Sequence, residues 1–241
     1  MIASPQTSGP LGIEALGESM LLIRFGERLD DATSARVHAA SEMLQAACLP
    51  GIVDLVPAYA TLAVHFDPLA WIDEQSGNAV RAIASAVRTV LGAPPAMRRH
   101  DAAHVEIPVL YGGDEGPDLD ALARHAELAP EEAAARHAAA EYRVAMIGFA
   151  PGFPYLLGLD PALAMPRRAT PRTRVPAGSV AIGGVQTGIY PSELPGGWQL
   201  IGRTPLQLFD PRRDPPSLLV PGDRVRFVPI GRDEFAGRMR A

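Results

Sequence analysis

The sequence predicts an α+β protein: a small N-terminal sandwich of strands and helices, then a separate domain of short strands closed as a β-barrel or sandwich. Three observations carry that reading. Over residues 11–92, two helical apolar faces interrupt strand-like runs in the order ββαββα. Residues 93–103 fall in the proline-bearing polar stretch GAPPAMRRHDAA and read as a linker. Over residues 104–241, short β-like runs are separated by dense Pro and Gly, the pattern of an all-β domain with many turns.

In the first domain, runs at 13–16 and 20–25 form a hairpin around Gly17-Glu18-Ser19. A helix follows over 32–47, where Val37, Ala40, Leu44 and Ala47 recur at three- and four-residue spacing on one face. Strands at 52–56 and 62–66 flank Pro57-Ala58-Tyr59-Ala60. A second helix over 78–91 sets Val80, Ile83, Val87 and Val90 on one side. Short loops in this order place both helices on one face of the sheet.

The second domain opens with a strand at 105–110, followed by helices at 119–128 and 130–140, the latter with Pro130 in its first turn. The alanine-rich 133–140 segment is explained by helix propensity. Further strands are predicted at 144–149, 179–182, 185–190, 199–201, 206–209 and 225–229.

Composition narrows the function. Of the 241 residues 47% are hydrophobic, enough for a packed core. No apolar run approaches the roughly 20 residues that span a bilayer. Residues 1–10, MIASPQTSGP, lack a basic head and an apolar stretch, so they are expected to be a frayed tail rather than a secretory signal, and the cytoplasm is the expected compartment. The single cysteine, Cys48, excludes an internal disulfide and a Cys-based zinc site. A net charge of -5 argues against nucleic acid as a partner. All 22 basic residues are arginines, so Schiff-base chemistry and a Walker A loop, which need lysine, are excluded.

The most unusual stretch is 148–204. It holds Arg167, Arg168, Arg172, Arg174 and Arg203 against only Asp160 and Glu193. A positive, glycine-rich region suits a phosphate or carboxylate, through guanidinium forks and exposed backbone N–H groups. A solvated basic surface or a structural arginine–carboxylate network gives the same pattern. Gly178-Ser179 and Gly183-Gly184 let backbone approach a ligand, as tight hairpins also require. Ser179 lies outside a G-x-S-x-G elbow, which argues against nucleophilic serine chemistry. Trp198, after Pro195-Gly196-Gly197, is either a stacking wall or a core anchor. The histidines, His38, His65, His100, His104, His125 and His137, match no metal-ligand pair, so no metal site is expected. His137 stands just before the strand that leads into the motif region, as an acid/base group or as a structural residue. Glu131 and Glu132 suit a helix N-terminus.

Motif order adds a further expectation. Phe66-Asp67-Pro68, Ile107-Pro108-Val109-Leu110-Tyr111-Gly112-Gly113 and Gly116-Pro117-Asp118-Leu119 are followed by His137 and Gly148-Phe149-Ala150-Pro151-Gly152-Phe153-Pro154-Tyr155-Leu156. Pro166-Arg167, Pro171-Arg172, Val175-Pro176-Ala177-Gly178-Ser179-Val180 and Gln186-Thr187-Gly188-Ile189-Tyr190-Pro191 come next. Pro195-Gly196-Gly197-Trp198, Gly202-Arg203-Thr204-Pro205 and Pro221-Gly222-Asp223 close the series. This order resembles the allophanate hydrolase subunit 1 family, which includes the B subunits of 5-oxoprolinases and the Kip-type inhibitors of a sporulation histidine kinase.

The resemblance implies a cyclophilin-like β-barrel for the second domain. It also implies a component of an ATP-dependent 5-oxoprolinase, inactive alone and working with partner A and C subunits, the latter itself cyclophilin-like. ATP is the implied co-substrate, with Mg2+ carried mainly by the phosphates and water. On the matching motifs the resemblance points to Arg172, Arg203 and Arg167 for anion binding. Gln186 and the backbone of Gly178 and Ser179 would orient a polar substrate, Tyr155 and Trp198 would form an apolar wall, and His137 would relay a proton. The same motifs also serve a non-enzymatic inhibitor of a histidine kinase, and the family name carries an association with allophanate and urea-derived amides. Fold alone would add peptidyl-prolyl isomerisation, a weak warrant.

Overall fold

A computed structural model of the protein describes residues 10–72, 78–93 and 102–240. The expected tail at 1–10, apart from Pro10, and most of the expected linker at 93–103 lie outside the described residues. The chain divides between His100 and Asp101 into two compact units.

In the first unit the chain runs through β1 (Gly12–Ala15), β2 (Met20–Arg24), α1 (Asp31–Ala47), β3 (Ile52–Pro57), β4 (Thr61–Phe66) and α2 (Ala79–Gly92). The strands form one antiparallel sheet in the order β1-β2-β4-β3. Strict alternation along β2 and β4 buries Leu21, Ile23, Leu62, Val64 and Phe66 on one face. Val37, Ala40 and Leu44 of α1 and Ile83 and Val87 of α2 complete the same core. Asp30 starts α1 by accepting from the Thr33 amide at 2.8 Å, and Asn78 starts α2 by accepting from the Arg81 amide at 3.0 Å. Cys48 ends α1 in the left-handed conformation, with φ at 45°.

The second unit begins with β5 (His104–Tyr111), α3 (Leu119–His125), α4 (Pro130–Ala139), β6 (Glu141–Ile147) and β7 (Pro154–Leu157). It continues through β8 (Arg172–Val175), β9 (Ser179–Gly183), β10 (Gln186–Ile189), β11 (Leu194–Gly196), β12 (Gln199–Arg203), β13 (Arg224–Pro229) and α5 (Arg232–Met239). Seven strands close a barrel in the order β10-β7-β6-β13-β5-β12-β9, with β9 pairing back onto β10. Only the β5–β13 pair is parallel among these strands. β8 and β11 stand apart as a two-stranded ribbon. Every residue of β9 is buried, as befits a strand covered on both faces. Val180, Ile182, Ile189, Ile201, Leu156, Val144 and Phe227 belong to one core cluster, which Leu119 and Leu122 of α3 and Ala133 of α4 also join.

The expected α+β composition and barrel are present, with local differences. Residues 206–209 form no strand and contribute only a single bridge, Phe209 to Ser217. The 119–128 helix stops at His125 because Glu127 turns left-handed, with φ at 56°. The strand expected at 144–149 lies at Glu141–Ile147, which buries Tyr142 and leaves Phe149 in the following loop. β7, β8, β11 and α5 are additional to the elements that the sequence pattern predicts. Among the described residues no helix is long and apolar enough to cross a membrane.

One polar chain runs through the barrel core. His137 of α4 is fully buried, with Tyr111 Oη 2.8 Å from Nδ1 and Thr187 Oγ1 3.0 Å from Nε2. Thr187 Oγ1 spends its proton on the Ala181 carbonyl at 3.0 Å. Nε2 therefore donates to Thr187, Nδ1 accepts from Tyr111, and the ring is the neutral Nε2–H tautomer. Phe227 packs over the imidazole with ring centroids 4.6 Å apart. Burial pulls the imidazole down from 6.5 to about 3, because nothing nearby compensates a charged ring.

Since the folded pKa is depressed, the unfolded chain binds more protons between those two values. The contribution of His137 is complete above about pH 6.5 and is lost as pH falls towards about 3. Chemical denaturation across that window should show a stability slope that His137→Gln reduces by up to about 1.4 kcal/mol per pH unit. Identical slopes for the two proteins would mean that His137 is not held neutral by burial.

Candidate functional site

Beside the barrel core lies a second, largely aromatic cluster of Phe153, Tyr190, Trp198, Val175, Ala181 and Leu200. It forms where the β6–β7 loop, the end of β10 and the β11–β12 connection converge. The rings meet edge to face: Phe153 and Tyr190 at 5.2 Å, Phe153 and Trp198 at 5.7 Å, Tyr155 and Trp198 at 5.8 Å. Two glycines permit this approach. A Cβ on Gly183 would stand 2.5 Å from the Trp198 indole, and one on Gly196 would stand 2.1 Å from the Tyr190 hydroxyl. Phe149 lies at the rim, 62% exposed and left-handed at φ 68°, a conformation that costs a bulky residue energy and collects at functional sites.

Above these rings is an open cleft of about 300 Å³ lined by Phe149, Phe153, Tyr155, Tyr190, Trp198, Arg167, Arg168, Pro171 and the 195–197 turn. Its arginines are held differently. Arg168 Nη1 and Arg172 Nη2 donate to the same oxygen, Asp118 Oδ1, at 3.2 and 2.8 Å. Asp118 Oδ2 accepts the Leu200 amide at 2.7 Å, and the Asp118 amide donates to the Leu200 carbonyl at 2.9 Å. The Arg168 amide donates to the Gly197 carbonyl at 2.7 Å, which ties the basic loop to the turn before Trp198. Arg167 has its guanidinium carbon 5.6 Å from the Trp198 ring centroid, a cation–π arrangement, and forms no ion pair among the described residues. Burial pushes the Tyr155 and Tyr190 phenols up, with the charge of Arg167 opposing the shift at both. Both phenols are therefore hydroxyl donors at neutral pH. The cleft offers aromatic walls and a net positive edge, a combination that binds a small anion with an apolar body. Among the described residues there is no group of three or more His, Cys, Asp or Glu able to hold a metal ion.

The family described as carboxyltransferase domain, subdomain C and D, matches residues 11–219. The B subunit of the 5-oxoprolinase of Bacillus subtilis (strain 168) is 42% identical over 226 residues, covering 92% of this chain and 94% of its own length. The B subunit of the 5-oxoprolinase of Escherichia coli O157:H7 is 58% identical over 129 residues, 54% of this chain and 59% of its own length. The crystal structure of TTHA0988 matches with a TM-score of 0.75 at 42% identity, over 88% of this chain and 40% of that one. The chain belongs to the carboxyltransferase subdomain C and D family.

Of the residues expected from the sequence to form a site in this family member, Tyr155, Arg167 and Trp198 come together in the cleft. Arg172 lies behind it and acts on it through Asp118. Its Nη1 is buried and has no hydrogen-bond partner among the described residues. Arg203 is outside the cleft, with Nη1 3.1 Å from Glu115 Oε2 and Nε 2.7 Å from the Ala177 carbonyl. Gly178 and Ser179 build the turn into β9: the Gly178 amide donates to the Tyr190 carbonyl, and the buried Ser179 hydroxyl donates to the Pro176 carbonyl at 2.8 Å. Gln186 opens β10 opposite Gly183. His137 is in the barrel core, apart from the cleft residues. Sequence reasoning does not single out Asp118, Phe149, Phe153 or Tyr190 as site residues, although each stands in a segment that the motifs mark, and it names Arg168 only among the arginines of the 148–204 stretch.

Asp118→Ala should cost about 2 kcal/mol of stability in a denaturant titration, because it strands the Leu200 amide and removes the counter-charge of two arginines. The partial exposure of those arginines keeps the cost below that of a fully buried ion pair. A change within experimental error would show that the carboxylate does not anchor the cleft.

Proposed function

We propose that this chain is the B subunit of an ATP-dependent 5-oxoprolinase, which opens 5-oxo-L-proline to L-glutamate together with A and C subunits. The observation that carries the reading is the 42% identity to the corresponding Bacillus subtilis 5-oxoprolinase component along 94% of that protein's length. The cleft supports it, since 5-oxoproline is a compact, flat ring that bears one carboxylate. That TTHA0988 carries a match to this chain within a much longer polypeptide supports a unit that works beside further domains.

Amide resonance makes a lactam slow to hydrolyse, and ATP lowers that barrier. Transfer of the γ-phosphoryl group to the lactam oxygen gives an O-phosphorylated imidate and ADP. Water adds to the activated carbon, the C–N bond breaks with a proton delivered to nitrogen to give γ-glutamyl phosphate, and a second water hydrolyses this acyl phosphate to glutamate and phosphate. Negative charge that develops on oxygen needs positioned donors, and the phosphates need cations. In this scheme Arg167, Tyr155 and Trp198 hold the substrate, and Arg172 and Arg168 are set through Asp118. Arg203, Gln186, Gly178 and Ser179 shape the wall behind, and His137 fixes the barrel rather than moving a proton. A cleft of about 300 Å³ is small for a nucleoside triphosphate, so we assign most of the ATP contact to the partner subunits. Mg2+ then travels with the phosphates. With ATP as co-substrate, the cytoplasm is the compartment.

The test is release of phosphate and glutamate by this chain alone, with the C subunit added, and with the A and C subunits together, each with and without 5-oxo-L-proline. Both products should appear only in the complete, lactam-containing mixture. A complete assembly without lactam-dependent turnover would overturn the reading.

A further inference from the structure

Neighbouring arginines in the cleft have unequal freedom. Asp118 takes one hydrogen bond from Arg168 and one from Arg172. Arg167 has its guanidinium carbon 5.6 Å from the Trp198 ring centroid and is exposed at the cleft, with no ion pair among the described residues. A cation–π contact uses none of the guanidinium's N–H donors, which stay available to an anion. Tyr155 and Tyr190 line the same cleft as Arg167. The rest of the cleft lining is largely aromatic, so a bare phosphate would leave it unused, whereas a ring that bears a carboxylate would fill both parts. The residues that line the cleft all fall within 149–198, and Asp118 behind them belongs to the same chain, so the site needs no second chain for its construction.

We infer that Arg167 is the receptor for the carboxylate of a small ring acid, whose ring packs into the cleft against Tyr155 and the accessible edge of Trp198, and that this site is complete in the isolated chain. Asp118 is the positioning residue of the site. By occupying Arg168 and Arg172 it fixes the loop and the 195–197 turn while leaving Arg167 unneutralised. Insofar as the ring acid is 5-oxoproline, the inference rests on the function proposed above. The chemistry of the cleft is separable from it by choice of ligand.

The chain contains two tryptophans, so in a Trp71→Phe background Trp198 is the sole indole reporter. Fluorescence titration of the full chain, with calorimetry as a check that does not depend on Trp71, would use three probes: 5-oxo-L-proline, 2-pyrrolidinone and cyclopentanecarboxylate. Both acids should bind, and 2-pyrrolidinone, which lacks the carboxylate, should bind at least roughly tenfold more weakly. Arg167→Gln, at an exposed position, should weaken the acids by a similar factor and leave 2-pyrrolidinone unchanged. Binding of cyclopentanecarboxylate through Arg167 without binding of 5-oxo-L-proline would uphold the acid site and count against the lactam reading. Equal binding of 2-pyrrolidinone, indifference to Arg167→Gln, or no binding by any probe would overturn the inference, and turnover of the assembled enzyme would then judge the proposed function by itself.

Discussion

The site hangs on one buried carboxylate. Asp118, 6% exposed, stands just before α3 and reaches across to β12 through Leu200 and to the basic loop through Arg168 and Arg172. A carboxylate removed from water is costly unless its lone pairs are filled. Here a backbone amide and two guanidiniums fill them. The same contacts fix a loop that has little regular structure of its own and belongs with Trp198. Without Asp118, Arg168 and Arg172 would compete with Arg167 for any incoming anion, and the distinction between structural and ligand-facing arginines would vanish.

The aromatic cluster has a complementary logic. Trp198 and Tyr190 sit flush against backbone because Gly183 and Gly196 present no Cβ. Phe153 bridges them, and Phe149 reaches the rim at the expense of a left-handed backbone. These features have no role in closing the barrel, whose own core is the separate cluster around Val180, Ile182 and Phe227. The unit thus carries two packed clusters, and only the second borders the cleft.

Much of the fold is legible in the sequence because it is periodic. The faces of α1 and α2 and the alternation along β4 are visible there as Val37-Ala40-Leu44, Ile83-Val87 and Leu62-Val64-Phe66. Elements without apolar rhythm are not. β8, Arg172–Val175, is polar at three of its four positions and exists by pairing with β11. α5 buries only Phe235. At the site, the sequence identifies the arginine-rich loop and Trp198 but not which arginine faces a ligand, since that depends on Asp118, distant in sequence and brought alongside only by folding. His137 stands out in the sequence as a histidine near the motifs. Its partners Tyr111 and Thr187, on β5 and β10, are what make it a neutral fixture of the core.

If substrate binds through Arg167 of this chain, as proposed, the most direct measurement is the steady-state kinetics of the assembled three-component enzyme carrying Arg167→Gln in this chain. The KM for 5-oxo-L-proline should then rise by roughly tenfold, with the KM for ATP unchanged, as expected when a charge-assisted contact to one substrate is removed. An unchanged KM for the lactam, or a defect confined to ATP, would contradict that binding and place the substrate elsewhere in the assembly.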